Sequence, residues 1–113
     1  MPDKRKNWLA EFELCVMLAI AQLRGEAYGA SLRREIEERT ERPVSIGAVY
    51  ATLGRLEDHG LLEHRLSDPL PVRGGRTRKL YTLTPAGHDA LRRSTGMLRR
   101  MMEGLPLSEG GAG

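Results

Sequence analysis

The 113-residue chain is 40% hydrophobic and 29% charged, which fits one soluble globular domain with a single core of ordinary size. Its one cysteine, Cys15, excludes an internal disulfide and argues against a cysteine-based metal site. The longest apolar run, Leu14–Leu23, is interrupted by Gln22 and too short to span a bilayer, and no signal-peptide pattern follows it, so a cytoplasmic protein without a membrane partner is expected.

Residues Met1–Asn7 are polar and expected to fray. From about Trp8 to Arg24 the pattern is helical. Leu9, Phe12, Leu14, Met17, Leu18, Ala21 and Leu23 cover most of the circumference, so this helix is expected to be buried on more than one side. Gly25 supplies a stop. A second, amphipathic helix is predicted from roughly Tyr28 to Thr40, where Tyr28, Leu32 and Ile36 recur every fourth residue among charged neighbours. Pro43 forbids its continuation.

Ser45 is a good N-cap for a third helix and Gly60 a good C′ residue. Ile46, Val49, Leu53 and Leu56 form one apolar stripe, while Gly47, Ala48, Ala51 and Arg55 point the opposite way and Tyr50 sits on the flank. Two glycines, Gly47 and Gly54, lie inside this helix, each costing about 1 kcal/mol relative to Ala. Such a bare face suits either tight packing on the second helix or close approach of something outside the protein. The glycines alone do not decide between the two.

Leu61–Ser67 and Arg78–Thr84 are short and partly alternating, with DPLPVRGGRT between them, so they read as a β-hairpin with a long tip. Thr84 and Pro85 open a last helix, as N-cap and first helical residue, running to about Glu103. Its stripe of Ala86, Ala90, Leu91, Met97, Leu98, Met101 and Met102 either folds back on its own domain or meets a second copy. Pro106 ends it, and the remaining tail is expected to be disordered.

Three helices, a hairpin and a further helix give a mainly α fold with a small β-hairpin, namely a winged helix-turn-helix followed by a C-terminal helix, which is a dimerisation helix if its stripe meets a second copy. In that fold the third helix enters the major groove. Small residues Gly47, Ala48 and Ala51 permit close approach, Arg55 can reach a guanine edge or phosphate, Tyr50 can touch the backbone, and Ser45 with the first-turn N–H groups can bind a phosphate. At the hairpin tip Arg73, Arg76, Arg78 and Lys79 are basic with no acid among them, as expected for salt-dependent contact with DNA.

Catalysis has little support, and no enzyme activity, metal or cofactor is expected. His59, His64 and His88 lack metal-ligand spacing, Glu57 and Asp58 are adjacent and face different directions, and Cys15 lies in an apolar helix. Trp8, the only tryptophan, suits a hydrophobic anchor better than a ligand stack.

Several of these stretches carry a resemblance. They are Phe12-Glu13-Leu14, Glu26-Ala27-Tyr28-Gly29, Gly47-Ala48-Val49-Tyr50-Ala51-Thr52-Leu53 with Leu56-Glu57 and Gly60-Leu61, and Lys79-Leu80-Tyr81-Thr82-Leu83-Thr84-Pro85-Ala86-Gly87. Through them the chain, from about Leu9 to Met102, resembles the PadR family of transcriptional regulators in its small, short-tailed form. The resemblance implies a homodimeric winged-helix repressor of a palindromic operator on double-stranded DNA. Its C-terminal helix would be exchanged against the partner's N-terminal helix, with Leu91, Met97, Leu98, Met101 and Met102 as dimerisation residues. It also implies release of DNA on binding a small hydrophobic or phenolic effector. The chain departs from some relatives in its 4% aromatic content and in lacking a tryptophan in the last helix. The expected division is 1–84 for the DNA-binding domain, 85–105 for the dimerisation helix and 106–113 for the tail. The competing reading is a winged-helix module for protein–protein contact, which would show an exposed apolar patch on the third helix.

Overall fold

A computed structural model describes residues 8–68 and 77–107. The elements are α1 (Glu11–Leu23), α2 (Gly29–Thr40), α3 (Ile46–Asp58), β1 (Leu62–Leu66), β2 (Lys79–Leu83) and α4 (Pro85–Met102). The order is the expected one, and the termini move by at most three residues. The largest change is at the start of α1. Ala10 is extended (φ −68°, ψ 160°) and its N–H donates to Glu13 Oε1 at 2.9 Å, so the helix begins after it and leaves Trp8 outside, 56% exposed. The expected fraying of Met1–Asn7 and disorder of the tail from Ser108 lie outside the described residues.

The core is built where the periodicity placed it. Val16, Met17 and Ile20 of α1, Leu32 and Ile36 of α2, and Val49, Leu53 and Leu56 of α3 are buried together with Leu62 and Tyr81 of the hairpin. Burying each large aliphatic side chain contributes about 1.5–3 kcal/mol. As expected, α1 is buried on more than one side, against α2, α3, β2 and α4, but Leu18 is 43% exposed and Ala21 exposed, so one strip of its apolar surface lies open in the single chain. In the hairpin, Leu62 pairs with Leu83 and His64 with Tyr81 in an antiparallel ladder. Adjacent strand residues point to opposite faces, yet Leu80 and Tyr81 are both buried, so β2 is covered on both sides.

Two of the conspicuous sequence stretches meet at one point. Gly60 adopts φ +76° after α3, and the Leu61 N–H turns back to the Leu56 carbonyl at 2.9 Å, a Schellman-type stop. The two carbonyls this exposes are taken by the start of α4. Thr84 Oγ1 donates to Gly60 O at 2.6 Å, and the Thr84 N–H donates to Leu61 O at 3.1 Å. Thr84 Oγ1 also accepts from the Gly87 N–H at 3.0 Å as the α4 N-cap. Gly87 then lies so close that a Cβ there would fall 2.0 Å from Leu61 O.

This contact separates two glycines of the same helix. Gly87→Ala is expected to cost about 1–3 kcal/mol or more, because a backbone oxygen blocks the methyl. At Gly96 a Cβ meets only the flexible end of Arg100 at 3.4 Å, so Gly96→Ala should hold or raise stability by up to about 1 kcal/mol. Chemical denaturation of both variants checks the pair.

Candidate nucleic-acid interface

α3 carries the candidate surface. Ser45 caps it, with Oγ accepting from the Ala48 N–H at 3.1 Å, and a hydroxyl that accepts there can still donate. Val49, Leu53 and Leu56 are fully buried, as the stripe required. Ile46 is only half-buried, and Thr52 joins the buried side at 1% exposure, a position the apolar pattern missed because threonine is polar.

The other side of α3 divides into two flanks and a ridge. On one flank Arg55 is directed towards α1: Nη2 donates to Thr52 Oγ1 at 3.1 Å and Nε lies 3.9 Å from Glu13 Oε2. Ala48, on the same flank, borders a hollow of about 280 Å³ with Phe12, Cys15 and Ile36. On the opposite flank Tyr50 lies against the first residue of α2. A Cβ at Gly29 would fall 2.5 Å from the Tyr50 hydroxyl, so only glycine admits the ring there. Glu57 meets His64 Nδ1 of β1 at 2.5 Å. Between the flanks Gly47, Ala51 and Gly54 share one outward line at helical spacing, exposed, and Cβ atoms at Gly47 and Gly54 would meet nothing within 4 Å. The bare face is therefore not a packing surface in this chain. Gly54 belongs to it at the same helical spacing, whereas Ala48 and Arg55, expected on this face, stand on the flank. The line ends at exposed Asp58, the C-terminal end of the helix.

The hairpin stands beside this ridge. All three tyrosines of the chain, Tyr28, Tyr50 and Tyr81, border a hollow of about 490 Å³ between α3 and β2, together with Arg78 and Lys79. The Arg78 guanidinium stacks on Tyr28, 4.1 Å from the ring centroid, and Lys79 is exposed. Burial pushes the Tyr81 phenol above its ordinary value, and the nearby Glu57 carboxylate and then Tyr50 add to this, so it stays neutral and protonated at physiological pH. The basic residues Arg73 and Arg76 lie outside the described residues. Among the described residues no three His, Cys, Asp or Glu side chains come together, and no helix is long and apolar enough to cross a membrane.

A helix-turn-helix whose third helix presents a bare ridge beside a two-stranded wing defines the winged-helix class. Within it, the chain belongs to the transcriptional regulator PadR-like family, whose model matches residues 17–93. It is thus a transcriptional regulator of a non-enzymatic family. The transcriptional regulator Rv3488 of Mycobacterium tuberculosis is 46% identical over 68 residues, 58% of this chain and 57% of that protein. The match thus spans less than two thirds of that relative's length. A PadR-like transcriptional regulator of Bacillus cereus is 29% identical, with a TM-score of 0.64 over 87% of this chain and 93% of its own. A PadR-like transcription factor of Bacteroides fragilis shares the fold at 23% identity, with a TM-score of 0.69 over 88% of this chain and 89% of its own.

Three substitutions on α3 test the division of its faces by thermal melting. Ala51→Glu, on the open ridge, is expected to change stability by no more than about 0.5 kcal/mol. Gly54→Ala should stabilise by about 0.4–1 kcal/mol, since the site is helical and open. Leu53→Ala should cost roughly 2–5 kcal/mol through the cavity it leaves.

Proposed function

We propose that this protein is a homodimeric, sequence-specific repressor that places α3 in the major groove of a palindromic operator. The observation that carries this reading is the open line Gly47–Ala51–Gly54. It keeps side chains short where a backbone must approach base edges, on a helix whose buried side holds the core. Ser45 and Tyr50 flank the line for phosphate and sugar contacts, Ala48 stays small beside it, and Arg55 can swing from its weak, exposed pair with Glu13 to a phosphate. Lys79 and the hairpin residues Arg73, Arg76 and Arg78 supply positive charge for the adjacent backbone.

The dimer reading rests on where apolar surface remains. Leu98, Met101 and Met102 of α4 are 43%, 73% and 48% exposed, and Leu18 of α1 is 43% exposed. Leu91 and Met97 border the same stripe, half-buried. An exposed stripe on each of two helices is what an exchange of α4 against the partner's α1 would cover. Residues 1–84 then form the DNA-binding part and 85–105 the dimerisation helix. A protein-contact role for α3 is disfavoured, because its exposed side offers Tyr50 as its one large apolar group. Repression in the cytoplasm, relieved by a small hydrophobic or phenolic effector, completes the reading.

Selection of bound fragments from the source genome tests DNA recognition directly and should return one palindromic sequence. On that sequence Ala51→Glu is expected to abolish binding by placing bulk and negative charge in the groove, while the protein melts as the wild type does. Lys79→Gln should lower the slope of log K against log salt by about one for each phosphate that Lys79 neutralises. In sedimentation, Leu98→Asp combined with Met101→Asp should convert a dimer into monomer or aggregate. A soluble dimer in that variant would remove α4 from the interface.

A further inference from the structure

The turn Glu26–Tyr28 between α1 and α2 is held unusually well for a surface connection. Ser31 Oγ donates to Glu26 O at 2.8 Å and accepts from the Tyr28 N–H at 3.0 Å. Ala27 is fully buried, and its carbonyl accepts from the Tyr81 N–H at 2.8 Å, which fastens β2 to the turn. Tyr28 is thus presented from a fixed backbone, with its ring under the Arg78 guanidinium at 4.1 Å.

Arg78 lies where the hairpin leaves its ladder. The last ladder pair is Leu66 with Lys79. One step beyond, the Arg78 N–H donates to Ser67 Oγ at 2.8 Å and its carbonyl accepts from the Ser67 N–H at 2.8 Å. Such bonds at the loop-side end of a two-stranded ribbon with a long connection fray readily unless a side chain anchors them. A guanidinium stacked face-on keeps its N–H edge available, so the stack orients Arg78 without cancelling its charge.

We infer that Tyr28 is a positioning residue for the wing: its ring holds Arg78, and through Arg78 the loop-side end of the hairpin ladder, at a fixed place beside α3. This rests on the reading of α3 and the wing as the DNA-facing surface, so one arm of the test uses no DNA.

Amide hydrogen exchange on the DNA-free full-length protein is compared for wild type, Tyr28→Phe, Tyr28→Leu and Arg78→Gln. The Ser67 and Arg78 amides should exchange about three- to tenfold faster in Tyr28→Leu, the size expected for removing a cation–π stack. Tyr28→Phe should match the wild type, and the Leu62–Leu83 end of the ladder should be unchanged. On the operator, Tyr28→Leu should weaken binding, and the double variant with Arg78→Gln should bind no more weakly than Arg78→Gln alone. Unchanged exchange at Ser67 and Arg78 in Tyr28→Leu overturns the inference. So does a general rise along the whole ladder, which would make Tyr28 a prop of the fold, and so do effects on affinity that multiply in the double variant. If the wild type selects no DNA, the functional reading fails while the exchange arm still decides the role of Tyr28.

Discussion

The placement of α4 against the end of α3 rests on the close approach of Gly87 to the Leu61 carbonyl. The end of α3 and the start of α4 share a small set of hydrogen bonds centred on Thr84, with no side chain between the two backbones at Gly87. A closely packed junction of backbone on backbone transmits orientation well, because packed interiors deform little. The direction of α4 relative to α3 is therefore fixed by backbone contact. In a dimer built on α4, that same contact would fix how the two recognition helices are spaced, and half-site spacing is a geometric property of this class of protein.

The second junction lies on the other side of α3. Four consecutive residues, Glu26 to Gly29, each hold a different part of the structure. Glu26 accepts from Ser31, Ala27 accepts from β2, Tyr28 carries Arg78, and Gly29 admits the Tyr50 ring. The turn of the helix-turn-helix is thus the place where the hairpin and α3 are referred to a common frame. His64 adds a further link, since it meets Glu57 of α3 and lies 5.7 Å, centroid to centroid, from the Tyr81 ring. Exposed and partly exposed polar pairs of this kind contribute little stability. Their value here is geometric.

Apolar and polar surface are segregated in a way that separates two tasks. The exposed side of α3 is small, whereas large exposed apolar side chains gather on α1, α4 and the residues after it, including Leu105 and Leu107. Ser94, in the middle of α4, is 1% exposed with no hydrogen-bond partner for its hydroxyl among the described residues. A buried hydroxyl without a partner costs about 1–3 kcal/mol. A serine at that position instead of a larger apolar residue keeps the α4 contact narrow, and the structure offers no other account of it.

The element order, the caps Ser45 and Thr84, the stop at Gly60 and the buried line Val49, Leu53 and Leu56 were all legible in the sequence. Each is a local matter: helix periodicity, turn chemistry and capping act over a few residues. The family was legible for a related reason, since its short stretches are the residues that cap, turn and pack at the two junctions. Tertiary structure alone decided how the far side of α3 divides. Ala48 and Arg55 turn to α1, and Tyr50 and Glu57 turn to α2 and the wing. It also decided that Gly87, Ala90 and Ser94, not the larger apolar residues of α4, are the buried ones. A helical wheel states which residues share a side, but not which neighbour stands there. That depends on partners remote in sequence, such as Arg78 over Tyr28 or Leu61 against Gly87, and only the folded chain brings them together.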